Sequence, residues 1–145
     1  MSNVIPNAFK GELLSGTHNF ASGGNSFKLA LYTGSIASTY STSSTTYQTN
    51  NEVSSAGSTN YTTTGLVLQN QSVTTGATSF VDFDDLTFSS ATFTAAFGAI
   101  YNDTNSDKLC VVLDFGGSKT ATNGDFKIVF PATGTPANAI ISLAS

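Results

Sequence analysis

The chain has 145 residues, no tryptophan and no arginine, and carries a formal net charge of −4 with only 10% of its residues charged. That length fits one domain over residues 1–145 with a sizeable core. Five scattered lysines make no basic stripe, which excludes nucleic acid as a partner. No apolar run approaches the roughly 18 residues that argue for a membrane helix, so no membrane partner is expected. The opening residues MSNVIPNAFKGELLSG also lack the cationic and apolar regions of a secretory leader.

In chain order, Ile5, Phe9 and Leu13 recur at helical spacing, predicting one short helix over residues 5–15. Pro6 is tolerated in its first turn, and Ser2 or Asn3 could cap it. Phe27, Leu29 and Leu31 then alternate with Lys28 and Ala30, the pattern of a strand with one buried face. Residues 34–64 are rich in Ser, Thr, Tyr and Asn and too poor in hydrophobes to anchor a core strand. They read as a long loop or arm with two open roles. One is a reaching arm in which Tyr32, Tyr40, Tyr47 and Tyr61 are interface candidates. The other is a loop covering its own sheet.

Strand patterns resume at 65–73, 79–89, 93–103, 108–116, 124–132 and 138–144, separated by clusters of turn-forming residues. Phe97, Ala99 and Tyr101 share one face, and Leu109, Val111, Leu113 and Phe115 alternate as another. Phe126, Ile128 and Phe130 alternate opposite Asp125, Lys127 and Val129. Gly116-Gly117 and Asn123-Gly124 flank a polar stretch, which reads as the turn of a hairpin joining 108–116 to 124–132. Seven or eight strands at this rhythm, with one helix, predict an all-β antiparallel sandwich or jelly roll.

Few residues suggest chemistry. Asp114-Phe115-Gly116 copies a kinase triplet, but no glycine-rich phosphate loop, strand lysine or catalytic Asp-Asn loop accompanies it. The sole histidine, His18, lies in a polar turn and reads as structural or solvated. The sole cysteine, Cys110, sits in an apolar run and reads as a small buried hydrophobe. One of each excludes an ordinary zinc site, and an unpaired cysteine suits a reducing cytoplasm. Asp82 and Asp84 would lie about 7 Å apart on one strand face, with Asp85 beside them. These three are weak Ca²⁺ candidates through oxygen ligation, and Asp82 with Asp84 is a still weaker carboxylate pair for glycan hydrolysis. The blander reading leaves Asp82 solvated, with Asp84 and Asp85 binding backbone amides where the strand ends. No catalytic residue, cofactor or firm metal site is assigned.

Five stretches, 9–20, 27–65, 81–103, 111–132 and 138–144, together resemble a group of small β-rich virion proteins of tailed bacteriophages. The most specific portion is V-D-F-D-D (81–85), A-x-F-x-A (91–95), I-Y-N (100–102) and L-D-F-G-G-x-K-x-x-x-x-G-D-F (113–126). Several proteins of this size and type are head decoration, or cement, proteins. The resemblance therefore implies a non-enzymatic virion protein, assembled in the bacterial cytoplasm, that forms a homo-oligomer, commonly a trimer. It would clamp neighbouring major capsid protein subunits. A tail or fibre-associated virion protein is the alternative the resemblance leaves open, and a carbohydrate-binding module for host attachment is the alternative from another class.

Overall fold

The computed structural model describes residues 3–131 and 136–144. One helix, α1 (Asn7–Leu14), precedes seven strands: β1 (Phe27–Tyr32), β2 (Leu66–Val67), β3 (Ser72–Thr74), β4 (Thr78–Asp82), β5 (Leu86–Asn102), β6 (Lys108–Ile128) and β7 (Ile141–Ala144). They form two antiparallel sheets, a larger one ordered β2-β1-β5-β6 and a smaller one ordered β3-β4-β7. The two-sheet, all-β architecture is the one the strand rhythm predicts.

Period-two alternation explains the larger sheet. Phe27, Leu29 and Leu31 of β1 face one way and join Ile100, Val111 and Phe88 in a core shared with Val81 and Ile141 of the smaller sheet and with Phe83, just past β4. Ala30 and Tyr32 face the other way, where Phe97, Ala99, Tyr101, Leu109 and Val112 form a second core. Both faces of this sheet are therefore buried along β1, residues 96–102 of β5 and residues 109–112 of β6. Each large side chain removed from water contributes about 1.5–3 kcal/mol.

The first core is dominated by phenylalanine. Phe20 stacks on Phe27 with ring centroids 4.2 Å apart, and Phe83 meets Phe27 edge-on at 6.1 Å. Phe9 closes this cluster from α1. The second core is covered by the 34–64 segment, through Ile36 and Tyr40 and, partly buried, Tyr47. That segment also completes the edge of β1: Val53 N–H donates to Leu31 O at 2.9 Å and Thr33 N–H donates to Asn51 O at 2.8 Å.

Several boundaries differ from the sequence reading, each for a visible reason. Residues 108–116 and 124–128 are one continuous strand, not two arms of a hairpin; their partner is β5, from Leu86↔Ile128 to Asn102↔Lys108. Residue 132, the last of the predicted 124–132 strand, lies outside the described residues. The polar stretch between is exposed strand, and Gly116, Gly117 and Asn123 use positive φ for register irregularities instead of a turn. The true hairpin turn is 103–107.

Another irregularity, where Ile100 pairs with Val111 and Tyr101 with Leu109, inserts Cys110 and sends Leu109 to the face opposite Val111. A one-residue slip flips side chains across the sheet. The predicted 65–73 strand is two pieces, β2 and β3, in different sheets, divided by a bend with Asn70 at φ 52°. The predicted 79–89 strand also breaks, after Asp82, because β4 belongs to the smaller sheet and β5 to the larger. At the N-terminus Pro6 occupies the cap position and no side chain caps the helix. Asn3 instead accepts from the Asp114 N–H through its side-chain oxygen at 2.9 Å.

Gly65 is where backbone crowding is greatest. It adopts φ +78°, and a Cβ there would lie 1.9 Å from the Leu29 carbonyl oxygen. Gly65→Ala is expected to cost about 3 kcal/mol or more, combining left-handed strain with overpacking. Gly57→Ala, at φ +74° in open space, should cost only about 1–2 kcal/mol. Chemical denaturation midpoints of the two variants check the contrast.

Candidate functional site

A cleft lies at one flank of the sandwich. β6 is the outer strand of one sheet and β7 an outer strand of the other. The cleft, of about 560 Å³, sits beside β6 and reaches the residues just before β7; it is lined by Leu113, Phe115, Phe126, Phe130 and Ile140, with Asp114, Lys119, Asp125 and Lys127 also lining it. Position on the edge strand explains this mixture. Alternate residues of β6 turn inward to the core, and their neighbours remain in water.

The outer edge of β6 is capped at one end. Val4 and Val112 exchange backbone hydrogen bonds of 2.9 and 2.8 Å, and Leu109 N–H donates to Thr45 O at 3.0 Å. Among the described residues, no backbone hydrogen bond reaches residues 117–128 from any strand other than β5. Such an edge offers amides and carbonyls to an extended segment, and the cleft beside it offers an apolar floor for alternate side chains. Its bulges bend the strand, which restricts the partners that can pair along it.

The charged groups at the cleft have local partners. Lys127 pairs with Asp85 at 2.9 Å, and Phe130 N–H donates to the same carboxylate at 3.0 Å. The bond from Lys127 and then that from the Phe130 amide hold the Asp85 carboxyl below the usual carboxylate range. Asp114 is held low first by the Gly116 N–H, which donates to it at 2.9 Å.

The three weak Ca²⁺ candidates do not share a strand face. Asp82 ends β4, and Asp84 and Asp85 lie past it in the crossover between sheets. Asp84 accepts from the Asn70 side-chain amide at 2.6 Å, and Asp85 binds Lys127. No group of three or more acidic, His or Cys side chains converges as a metal site among the described residues.

The tyrosine interface candidates lie inside the chain. Tyr32, Tyr40 and Tyr61 are buried and Tyr47 is half-buried. Of the two roles open for residues 34–64, the structure shows the cover. Glu52 organises it, with Oε1 accepting from Tyr61 OH and from Thr64 N–H, both at 2.7 Å, and Oε2 accepting from Tyr47 OH. Tyr61 OH in turn accepts from Leu31 N–H at 3.0 Å. Tyr32 OH donates to Gln48 O at 2.7 Å and contacts Tyr40 OH at 2.7 Å. Tyr101 OH donates to Thr64 O at 2.6 Å. A hydroxyl at each ring's end is what lets these aromatic bodies be buried beside polar backbone.

Sequence reasoning missed a second polar cluster. His18 and Cys110 are 92 residues apart, yet Cys110 Sγ lies 3.8 Å from His18 Nδ1. Burial, and then the charge of Glu12, pushes the thiol well up, and neither side chain is open to solvent. That is the reverse of an activated nucleophile. Burial raises the Glu12 carboxyl, but hydrogen bonds from Lys108 and His18, each 2.8 Å, outweigh it and hold the group low. The helical spacing does place Glu12 one turn after Phe9, but no local signal points it at residue 108.

All five tyrosines are raised above their ordinary range, burial being the largest cause in each; Tyr40 is pushed up to about 12 and the others further. A raised folded-state value favours the protonated, folded form. The associated stability is therefore complete below the unfolded value of about 10 and is lost as pH rises through the folded one. Tyrosinate absorbance should stay absent until the far-ultraviolet signal of the sheets collapses, the two appearing together on alkaline titration. Glu52→Ala should cost about 1–3 kcal/mol by removing the acceptor of three donors and should move both transitions to lower pH.

No family profile, no curated protein and no solved structure matches the chain.

Proposed function

We propose that this chain is a non-enzymatic structural protein of a tailed-bacteriophage virion, decorating the capsid as a cement protein that bridges neighbouring major capsid subunits. The observation that carries the reading is the open flank of the sandwich. There, among the described residues, a long edge strand whose outer backbone groups meet no further strand runs beside a cleft with an apolar floor. An extended arm of a shell subunit is the kind of partner such a flank takes. The motif run from Val81 to Phe126 supports the same reading, because its last part, residues 113–126, is the strand that lines the cleft.

The mechanism is additive. Each copy buries a modest area, and repetition over the shell converts weak contacts into resistance to internal pressure. A nearly charge-free, hydroxyl-rich surface suits this, because wide polar contacts form without desolvating many ions.

Particles lacking the protein are expected to release DNA at lower temperature than complete ones. Unchanged heat and osmotic resistance would remove the cement role. In a reconstruction of the intact particle, density at three-fold or quasi-three-fold capsid positions is the expected result, and density confined to the tail would replace it with the alternative. Val129→Asp tests the flank directly, since Val129 lines the cleft with 68% of its surface exposed. Its occupancy on particles should fall about tenfold, as for truncation of a contributing contact, with no change in melting temperature.

A further inference from the structure

The buried cluster around His18 carries an inference independent of the virion reading. Asn102 is fully buried, and its side-chain oxygen accepts from two backbone donors, Thr104 N–H and Asn105 N–H, both at 3.1 Å. A backbone N–H can only donate, so this amide cannot be turned round without leaving both unpaired. Its NH₂ group consequently faces Asn25 Oδ1 and His18 Nδ1, each at 3.0 Å. The Asn25 oxygen is fixed in the same way by Asn19 N–H at 2.8 Å.

His18 Nδ1 therefore has to accept, and the ring proton belongs on Nε2, which lies 2.8 Å from Glu12 Oε2. The groups facing the ring are few. Glu12 comes from α1, with Lys108 of β6 on its other oxygen at 2.8 Å. Cys110 comes from β6 as a neutral thiol, Asn102 comes from β5, and the rings of Phe9, Phe20 and Phe27 surround the rest.

From this geometry we infer that His18 is a proton-operated latch. Neutral and protonated on Nε2, it ties α1 to the turn that joins β5 and β6. A second proton, on Nδ1, confronts the fixed Asn102 NH₂ group with another donor and breaks the tie. The released parts are Asn102 and the Thr104 and Asn105 amides hung on its oxygen, together with the loop held through Asn25.

The chain has one histidine, so long-range proton–nitrogen NMR of the ¹⁵N-labelled protein reports on this ring alone. At neutral pH, Nδ1 is expected to be unprotonated and Nε2 protonated; a proton on Nδ1 would overturn the assignment. On acid titration the Thr104 and Asn105 amides should shift with the ring, and their protection from hydrogen exchange, relative to the intrinsic rate at each pH, should fall about tenfold, the equivalent of one hydrogen bond. A ring that titrates while those amides stay fixed would sink the latch. In Asn102→Asp the donor facing Nδ1 becomes an acceptor, so a ring carrying both protons at neutral pH is expected, and a ring still singly protonated on Nε2 counts against the inference. Should that variant not fold, the wild-type spectra decide alone.

Discussion

Along β1, residues 96–102 of β5 and residues 109–112 of β6 the larger sheet is apolar on both faces, and much of the rest of the molecule answers that constraint. A half-buried antiparallel sheet needs one cover, but this one needs two. The smaller sheet and α1 cover the face bearing Phe27, Leu29 and Val111, with Val53 and Tyr61 reaching the same core, and the rest of residues 34–64 covers the face bearing Phe97, Tyr101 and Val112. The order of layers follows: small sheet, large sheet, irregular cover.

The two covers are attached by different physics. The smaller sheet contributes Val81 and Ile141 to a core whose phenylalanines, Phe20, Phe83 and Phe130 among them, come from segments outside its strands. Such packing tolerates small shifts. The irregular cover brings few hydrophobes and is held by tyrosine hydroxyls, with Glu52 accepting from two of them and from the Thr64 amide. Hydrogen bonds of this kind have strict directions, so the segment takes one conformation without being a sheet. Tyrosine supplies apolar area and a polar tip together, which explains why a segment poor in Leu, Ile and Val still seals a core.

Much of this was legible in the residues. The fold class, α1, β1 and the inward face of Phe126 and Ile128 followed from periodicity, and the burial of Cys110 from the apolar run around it. The errors arose where one local pattern has two global meanings. Glycine beside polar residues marks a turn in most chains; in β6 the same residues lie within an exposed, bulged strand, because β5 is long enough to accompany them. Asp84 and Asp85 extend the alternation of β4, yet the chain leaves one sheet for the other there. The tyrosines of 34–64 were identified as contacts, and they are, but to their own sheet. The His18 cluster was invisible because its members come from α1, the loop after it, β5 and β6, and meet only when the sandwich closes. The flank also needed three dimensions, since β6 lies at the edge of its sheet only once the strand order is set.

The inserted residue in β6 has a chemical consequence. The register irregularity that turns Leu109 away places Cys110, the sole sulfhydryl, in the core with no exposed surface. Copies crowded on any surface in an oxidising medium therefore have no route to disulfide cross-links while the sandwich stays closed. Pairing two copies through this thiol would first require the sandwich to open.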